Sequence, residues 1–213
     1  MKKRTLLGFV LIVFAMSAGA QVDDSKSREI LNEASSKMQS FEDISLRFTY
    51  NMDNNVYDVH EEKSGTALMK GEKFRIELGG QVMMSDGKTI WTFLPDAKEV
   101  QVAGADENIE NNPLHILSRW EENYRSKYIR QESVAGHNIH IIDLVPKEGK
   151  SFFKVRLRID SKSKQLVILT MYDKNSTTYT YIIEEFKTNT GISDSKFVFD
   201  PSKHADVEVI DLR

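Results

Sequence analysis

The chain contains no cysteine. That absence removes the disulfide-stapled scaffold, the thiolate zinc site, the iron–sulfur cluster and the cysteine nucleophile. It also removes any anchor that needs a lipidated cysteine. Proline is scarce, with four among 213 residues, and glycine is modest at 11. Collagen-like and linker-rich chains are therefore excluded. Positive charge is not in excess, since 29 Lys+Arg face 32 Asp+Glu for a formal net charge of −3. Such a balance leaves no electrostatic footprint for nucleic acid. No apolar run approaches the roughly 20 residues that a spanning helix needs.

What is present begins with an address. Lys2, Lys3 and Arg4 form a positive n-region, Thr5 to Met16 form an apolar run, and Ser17-Ala18-Gly19-Ala20 supplies small residues before a cleavage point. This is the pattern of a secretory signal peptide over residues 1–20, with cleavage expected after Ala20. Its removal takes away three bases and no acid, so the formal charge moves from −3 to −6. Residues 21–213 are read as one domain outside the cytoplasm. Without disulfides, that domain stands on core burial alone.

Along the mature chain the apolar rhythm changes once and then persists. Ile30, Leu31, Ala34, Met38 and Phe41 recur at helical spacing, which predicts an amphipathic helix over 26–41. Ser25 or Ser27 is the expected cap, with Glu29 near the first turn. From Ile44 the period is two. Leu46, Phe48, Tyr50 and Met52 alternate with polar residues, and Phe74, Ile76 and Leu78 repeat the pattern. Asp86-Gly87 predicts a two-residue hairpin turn. Asn112-Pro113 predicts a cap and first position of a short central helix through Trp120. Strands resume at 138–145, and Phe197–Phe199 and Asp206–Ile210 are read as the last two. The reading is ten or eleven strands, one N-terminal helix and one short central helix.

Chemistry-bearing constellations are few. His137 and His140 form an HxxH without a third ligand type nearby, so surface residues are the better reading. Gly87-Lys88-Thr89 ends like a phosphate loop, but Val82 stands where the first glycine belongs, and no helix follows. No G-x-S-x-G is present. The surplus lies elsewhere, in large apolar residues on strand faces. About one and a half helices cannot cover ten strands. The sheet must either fold into a filled sandwich or curl around an apolar hollow. Trp91 and Phe93 lie opposite Ile90 and Leu94, so that strand is apolar on both faces.

Several segments, taken together, resemble a known family. They are Met38-Gln39-Ser40-Phe41, Ser64-Gly65, Lys73-Phe74-Arg75-Ile76, Ser85-Asp86-Gly87-Lys88-Thr89-Ile90-Trp91, Asn112-Pro113, Leu144-Val145-Pro146-Lys147 and Phe197-Val198-Phe199-Asp200-Pro201. Their order is similar to that of the LolA family of outer-membrane lipoprotein carrier proteins, across essentially the whole mature chain. The resemblance implies a mainly β fold with helices (α+β). This is an unclosed, curved antiparallel half-barrel with a helical lid over an apolar cavity. It implies a periplasmic monomer with no catalysis and no cofactor. Its partners would be acylated lipoproteins, an inner-membrane ATP-driven transporter and, where one exists, an outer-membrane receptor. On that basis the acyl-binding residues are expected to be Phe48, Tyr50, Phe74, Ile76, Trp91, Phe93, Leu114 and Leu117. The chain departs from the family pattern at Lys70-Gly71-Glu72-Lys73, where a lid-latching Arg-Pro pair is missing. Arg75 is expected to point to the other face. The absent cysteine favours the soluble carrier over the anchored receptor of the same fold. The competing readings are a lipid-sensing binding module of the same fold and a secreted hydrolase.

Overall fold

The structure is a computed structural model that describes residues 25–105, 113–149 and 151–213. The expected signal peptide and the expected cap Asn112 lie outside these residues. A helix, α1 (Ser25–Gln39), is followed by six strands, β1 (Ile44–Asn54), β2 (Val59–Lys70), β3 (Lys73–Leu78), β4 (Gln81–Ser85), β5 (Thr89–Leu94) and β6 (Glu99–Gly104). Two short helices come next, α2 (Pro113–Ile116) and α3 (Trp120–Asn123). Then come β7 (Tyr124–Val134), β8 (His137–Pro146), β9 (Phe152–Asp160), β10 (Leu166–Asp173), β11 (Thr177–Thr188) and β12 (Glu208–Asp211).

All twelve strands form one open, curved sheet in the order β12-β6-β5-β4-β3-β2-β1-β11-β10-β9-β8-β7. Neighbours are antiparallel except β12, which runs parallel to β6. The expected unclosed antiparallel half-barrel is found, with one parallel pair at this edge. Twelve strands at about 4.8 Å make a sheet roughly 55 Å wide, whereas α1, with 15 residues, is only about 22 Å long. One helix cannot cover the concave side, and it does not.

The helix settles on the β7–β10 half. Ile30, Leu31 and Ala34 pack on Ile142, Leu144, Val155, Leu157 and Ile159, all buried. Ile116, Leu117 and Trp120 from the short helices complete this core. Neither expected serine cap forms as anticipated. Ser25 lies inside the helix, its first turn holds no acid, and buried Ser27 pairs its hydroxyl with that of Ser126 on β7 at 2.8 Å. Arg28 donates to Glu121 at 2.8 Å, which ties α1 to α3.

The convex side of β3–β6 is covered by the chain after β11. Asp194 receives Lys70 at 2.8 Å and Lys73 at 2.7 Å, and these two bonds, Lys70 first, hold its carboxyl at a pKa of about 2. Phe197 and Phe199 are buried there, Phe199 beside Met84, Val100, Trp91 and Phe93. The strand expected over Phe197–Phe199 is instead a 3-10 turn (Asp194–Phe197) followed by extended chain. The strap begins at Asp43, whose carboxylate accepts the backbone N–H groups of Thr190, Gly191 and Ile192 at 2.7–3.0 Å. Burial alone would raise the Asp43 pKa, but these bonds lower it.

Two local expectations change. Ser85 pairs with Ile90, so four residues separate the last paired positions of β4 and β5 in place of a two-residue turn. Asp86 Oδ1 accepts the N–H groups of Lys88 and Thr89 at 2.9 and 2.8 Å, forming an Asx turn. The helix expected from Pro113 to Trp120 is broken into two.

Candidate functional site

Beyond the reach of α1, the concave face encloses a cavity of about 610 Å³. Strand alternation builds its walls. Leu46 and Phe48 on β1, Ala67 and Met69 on β2, and Phe74, Ile76 and Leu78 on β3 all point inward. Tyr181, Ile183 and Phe186 of β11 form the opposite wall. Met38, at the end of α1, and Leu117, between α2 and α3, close it from above. At the β4–β6 end the cavity opens past Gln81, Met83, Thr92, Gln101 and Leu212. No lining residue carries a charge.

A close approach shapes the floor. Gly65 faces Phe48 across β1 and β2, and a Cβ on Gly65 would sit 2.5 Å from Phe48 Cζ. The Phe48 ring therefore lies flat over the glycine, which gives it room beside Tyr181, 5.8 Å away between centroids. Burial pushes the Tyr181 phenol pKa up, so it stays a neutral hydroxyl.

Of the residues expected to line the hollow, Phe48, Phe74, Ile76 and Leu117 do so. Tyr50 lies two residues along β1 and packs on Tyr181 at 5.3 Å and Tyr179 at 6.4 Å, beside the cavity. Trp91 and Phe93 do not line it. They face the convex side, with Phe93 5.4 Å from Phe199 between ring centroids. Ile90 and Thr92 take the inward positions of β5. A strand apolar on both faces has no parity signal of its own, and the strap that covers its outer face lies a hundred residues away in sequence. The side chain of Leu114 lies outside the described residues. Tyr181, Ile183 and Phe186 were not anticipated, although the alternation within Tyr179–Phe186 marks one face as apolar.

The short helices meet the sheet through two contacts. His115 is buried at 6% exposure, stands edge-on to Phe74 at 5.8 Å, and its Nε2 has no hydrogen-bond partner among the described residues. Burial holds its imidazole pKa below the ordinary 6.5, with Glu72 pulling upward and Arg119 downward. Arg119 donates to Glu72 in the β2–β3 turn at 3.2 Å. Arg75 points away, to Glu77 at 2.7 Å on the convex side. The HxxH residues diverge, with His137 bonded to Asp160 at 3.0 Å and His140 beside Tyr128. Among the described residues no cluster of His, Cys, Asp or Glu is placed to hold a metal.

The geometry defines a class, the open half-barrel whose concave side is part core and part apolar hollow. The family model for the outer membrane lipoprotein carrier protein LolA matches residues 39–200, so the chain belongs to the LolA family. It is 23% identical over 205 residues to an outer-membrane lipoprotein carrier protein of Coxiella burnetii, covering 95% of this chain and 94% of that one. A carrier protein of Chromohalobacter salexigens is 27% identical over 127 residues, 60% of each chain. Among solved structures, an uncharacterized conserved protein from Thermus thermophilus is similar with a TM-score of 0.62 at 11% identity, covering 87% of this chain and 99% of that one. A putative outer membrane lipoprotein-sorting protein domain from Vibrio parahaemolyticus has a TM-score of 0.50 at 12% identity, covering 82% and 97%. These structural likenesses speak for the fold.

Proposed function

We propose that this chain is a periplasmic carrier that holds acyl chains of lipoproteins in the concave hollow and ferries them from an inner-membrane ATP-driven transporter to the outer membrane. The observation that carries the reading is an uncharged, apolar cavity of about 610 Å³ roofed by short helices. Each methylene moved out of water contributes about 0.8 kcal/mol, so acyl chains do not cross an aqueous space unshielded. At about 30 Å³ per water, the hollow holds roughly twenty waters. A methylene is of similar size, so one long chain fills it. A guest with several chains requires the roof to move outward and the open β4–β6 face to be used. A carrier of this kind makes and breaks no covalent bond, and the site offers no paired acid and base.

The test is reconstitution. The purified mature protein is mixed with membranes bearing a triacylated lipoprotein and the donor transporter with ATP. A soluble one-to-one complex of carrier and lipoprotein is expected. Lipoprotein that stays with the membrane at every carrier concentration would overturn the reading.

A further inference from the structure

We propose that the open end of the cavity is a subsite for the neutral linkage of an acylated guest. There Gln81, Thr92 and Gln101 hydrogen-bond the ester or amide groups that join acyl chains to the rest of the molecule. The inference rests on the carrier reading and specifies which part of the guest lies where.

Three observations support it. First, these residues are neighbours on one face. Thr92 is directly opposite Gln101 across β5 and β6, and opposite Met83 across β4 and β5. Gln81 is two positions along β4 from Met83, and all three polar side chains line the same hollow. Secondly, none of the three side chains has a hydrogen-bond partner among the described residues, so their amides and hydroxyl are free for a guest. In a wall that is otherwise almost wholly apolar, polar groups without protein partners are where orientation is set. Thirdly, the subsite is built for neutral groups. Primary amides and a hydroxyl donate to carbonyls and accept from an amide N–H. A carboxylate or phosphate would want a cation, and no Lys or Arg lines the cavity. The next inward position on β6 beyond Gln101 is Glu99, opposite Leu94, which adds a negative charge at the rim. An anionic lipid would therefore lose hydration without gaining a counter-charge. The chains themselves fit deeper, between Phe48, Phe74 and Leu117.

Competition against the fluorescent, neutral dye phenylnaphthylamine tests this, using dioctanoylglycerol and its ether analogue dioctylglycerol, which carries chains of the same length without the ester carbonyls. The protein is expected to prefer the ester by about tenfold, a little more than one net hydrogen bond. That ratio is expected to fall towards one in the Gln81→Leu/Gln101→Leu protein. Thr92→Val, nearly unchanged in shape, gives an intermediate ratio and covers the case in which the double variant melts early. Equal affinity of the unaltered protein for the two lipids overturns the proposal, as does a preference that survives in both variants. If neither lipid displaces the dye, the cavity is no lipid site, and the carrier reading falls with the subsite.

Discussion

At the scale of the residue, the cavity depends on one missing side chain. Gly65 has an ordinary strand conformation, so left-handed backbone is not the reason for glycine here. The reason is space, because the Phe48 ring occupies the place of a Cβ and the carbonyl oxygen of Glu77 lies 3.0 Å from the same point. A methyl group at Gly65 must push the ring into the hollow or the strands apart. Overpacking of this kind costs about 1–3 kcal/mol. Gly65→Ala is thus expected to lower the melting temperature by several degrees, at roughly 2–4 °C per kcal/mol for a protein of this size. It is also expected to weaken binding of an apolar dye in the same preparation. A dye affinity unchanged to within twofold would show that the ring has another place to go.

At the scale of the element, two kinds of contact join the α2–α3 segment to the sheet, and their magnitudes differ. The Arg119–Glu72 pair is exposed, with side chains 39% and 67% accessible, and pairs of that kind contribute little. Ile116, Leu117 and Trp120 are buried at 2–3% exposure, and replacing such a tryptophan by alanine costs about 3–5 kcal/mol. Arg119→Ala is expected to leave the unfolding midpoint within error, whereas Trp120→Ala lowers it strongly. The reverse ranking in a denaturant titration would make the ion pair the main tie. His115 adds a pH dependence. Its folded pKa lies below the unfolded 6.5, so between those values the unfolded chain binds more protons than the folded one. Stability is complete above about 6.5 and is lost as pH falls towards the folded value. Protonation places a charge beside Phe74, with only Glu72 to balance it and Arg119 to oppose it. The acid-side loss of stability is expected to shrink in His115→Gln, and identical pH profiles for the two proteins would contradict this assignment. The elements themselves were unequally legible. Helix α1 and strands β1 and β3 declare their faces by clean alternation or helical spacing, and β9 does so only from Val155 onward, since Phe152 is buried and Phe153, which the alternation puts on the apolar face, is exposed. Strand β7 does not, because Ser126 holds an inward position and a bulge at Tyr128/Arg130 breaks the period.

At the scale of the whole molecule, the sheet is divided between two tasks. The half beneath α1 is a filled core, in which Ile142, Leu144, Val155, Leu157 and Ile159 are all inaccessible. The half from β1 through β6 has a packed outer face under the C-terminal strap and a hollow inner one. This division was only partly readable in the sequence. The shortage of helices relative to strands left a hollow as one of two outcomes, and the family resemblance put Phe48, Phe74 and Ile76 in it. The face of β5 was not readable, because its outer cover arrives from Phe199 and His204, and no local period reports a partner so distant. The opening past Gln81 and Gln101 was equally hidden, because isolated polar residues in a strand look like ordinary solvent-facing positions. The division predicts unequal opening of one continuous sheet. Backbone hydrogen exchange follows local burial and packing, so amides of β8, β9 and β10 are expected to exchange slowest in the free protein, and those of β4 to β6 and β12 sooner. A triacylated lipopeptide that enters the hollow adds apolar contacts to the strands that line it, β1 to β6, β10 and β11, and none to β8 and β9. Its binding is expected to slow exchange in β3 to β6 and in the α2–α3 segment, while β8 and β9 stay as they were. Protection that rises evenly over all twelve strands would mean the guest stabilises the fold from somewhere other than this hollow.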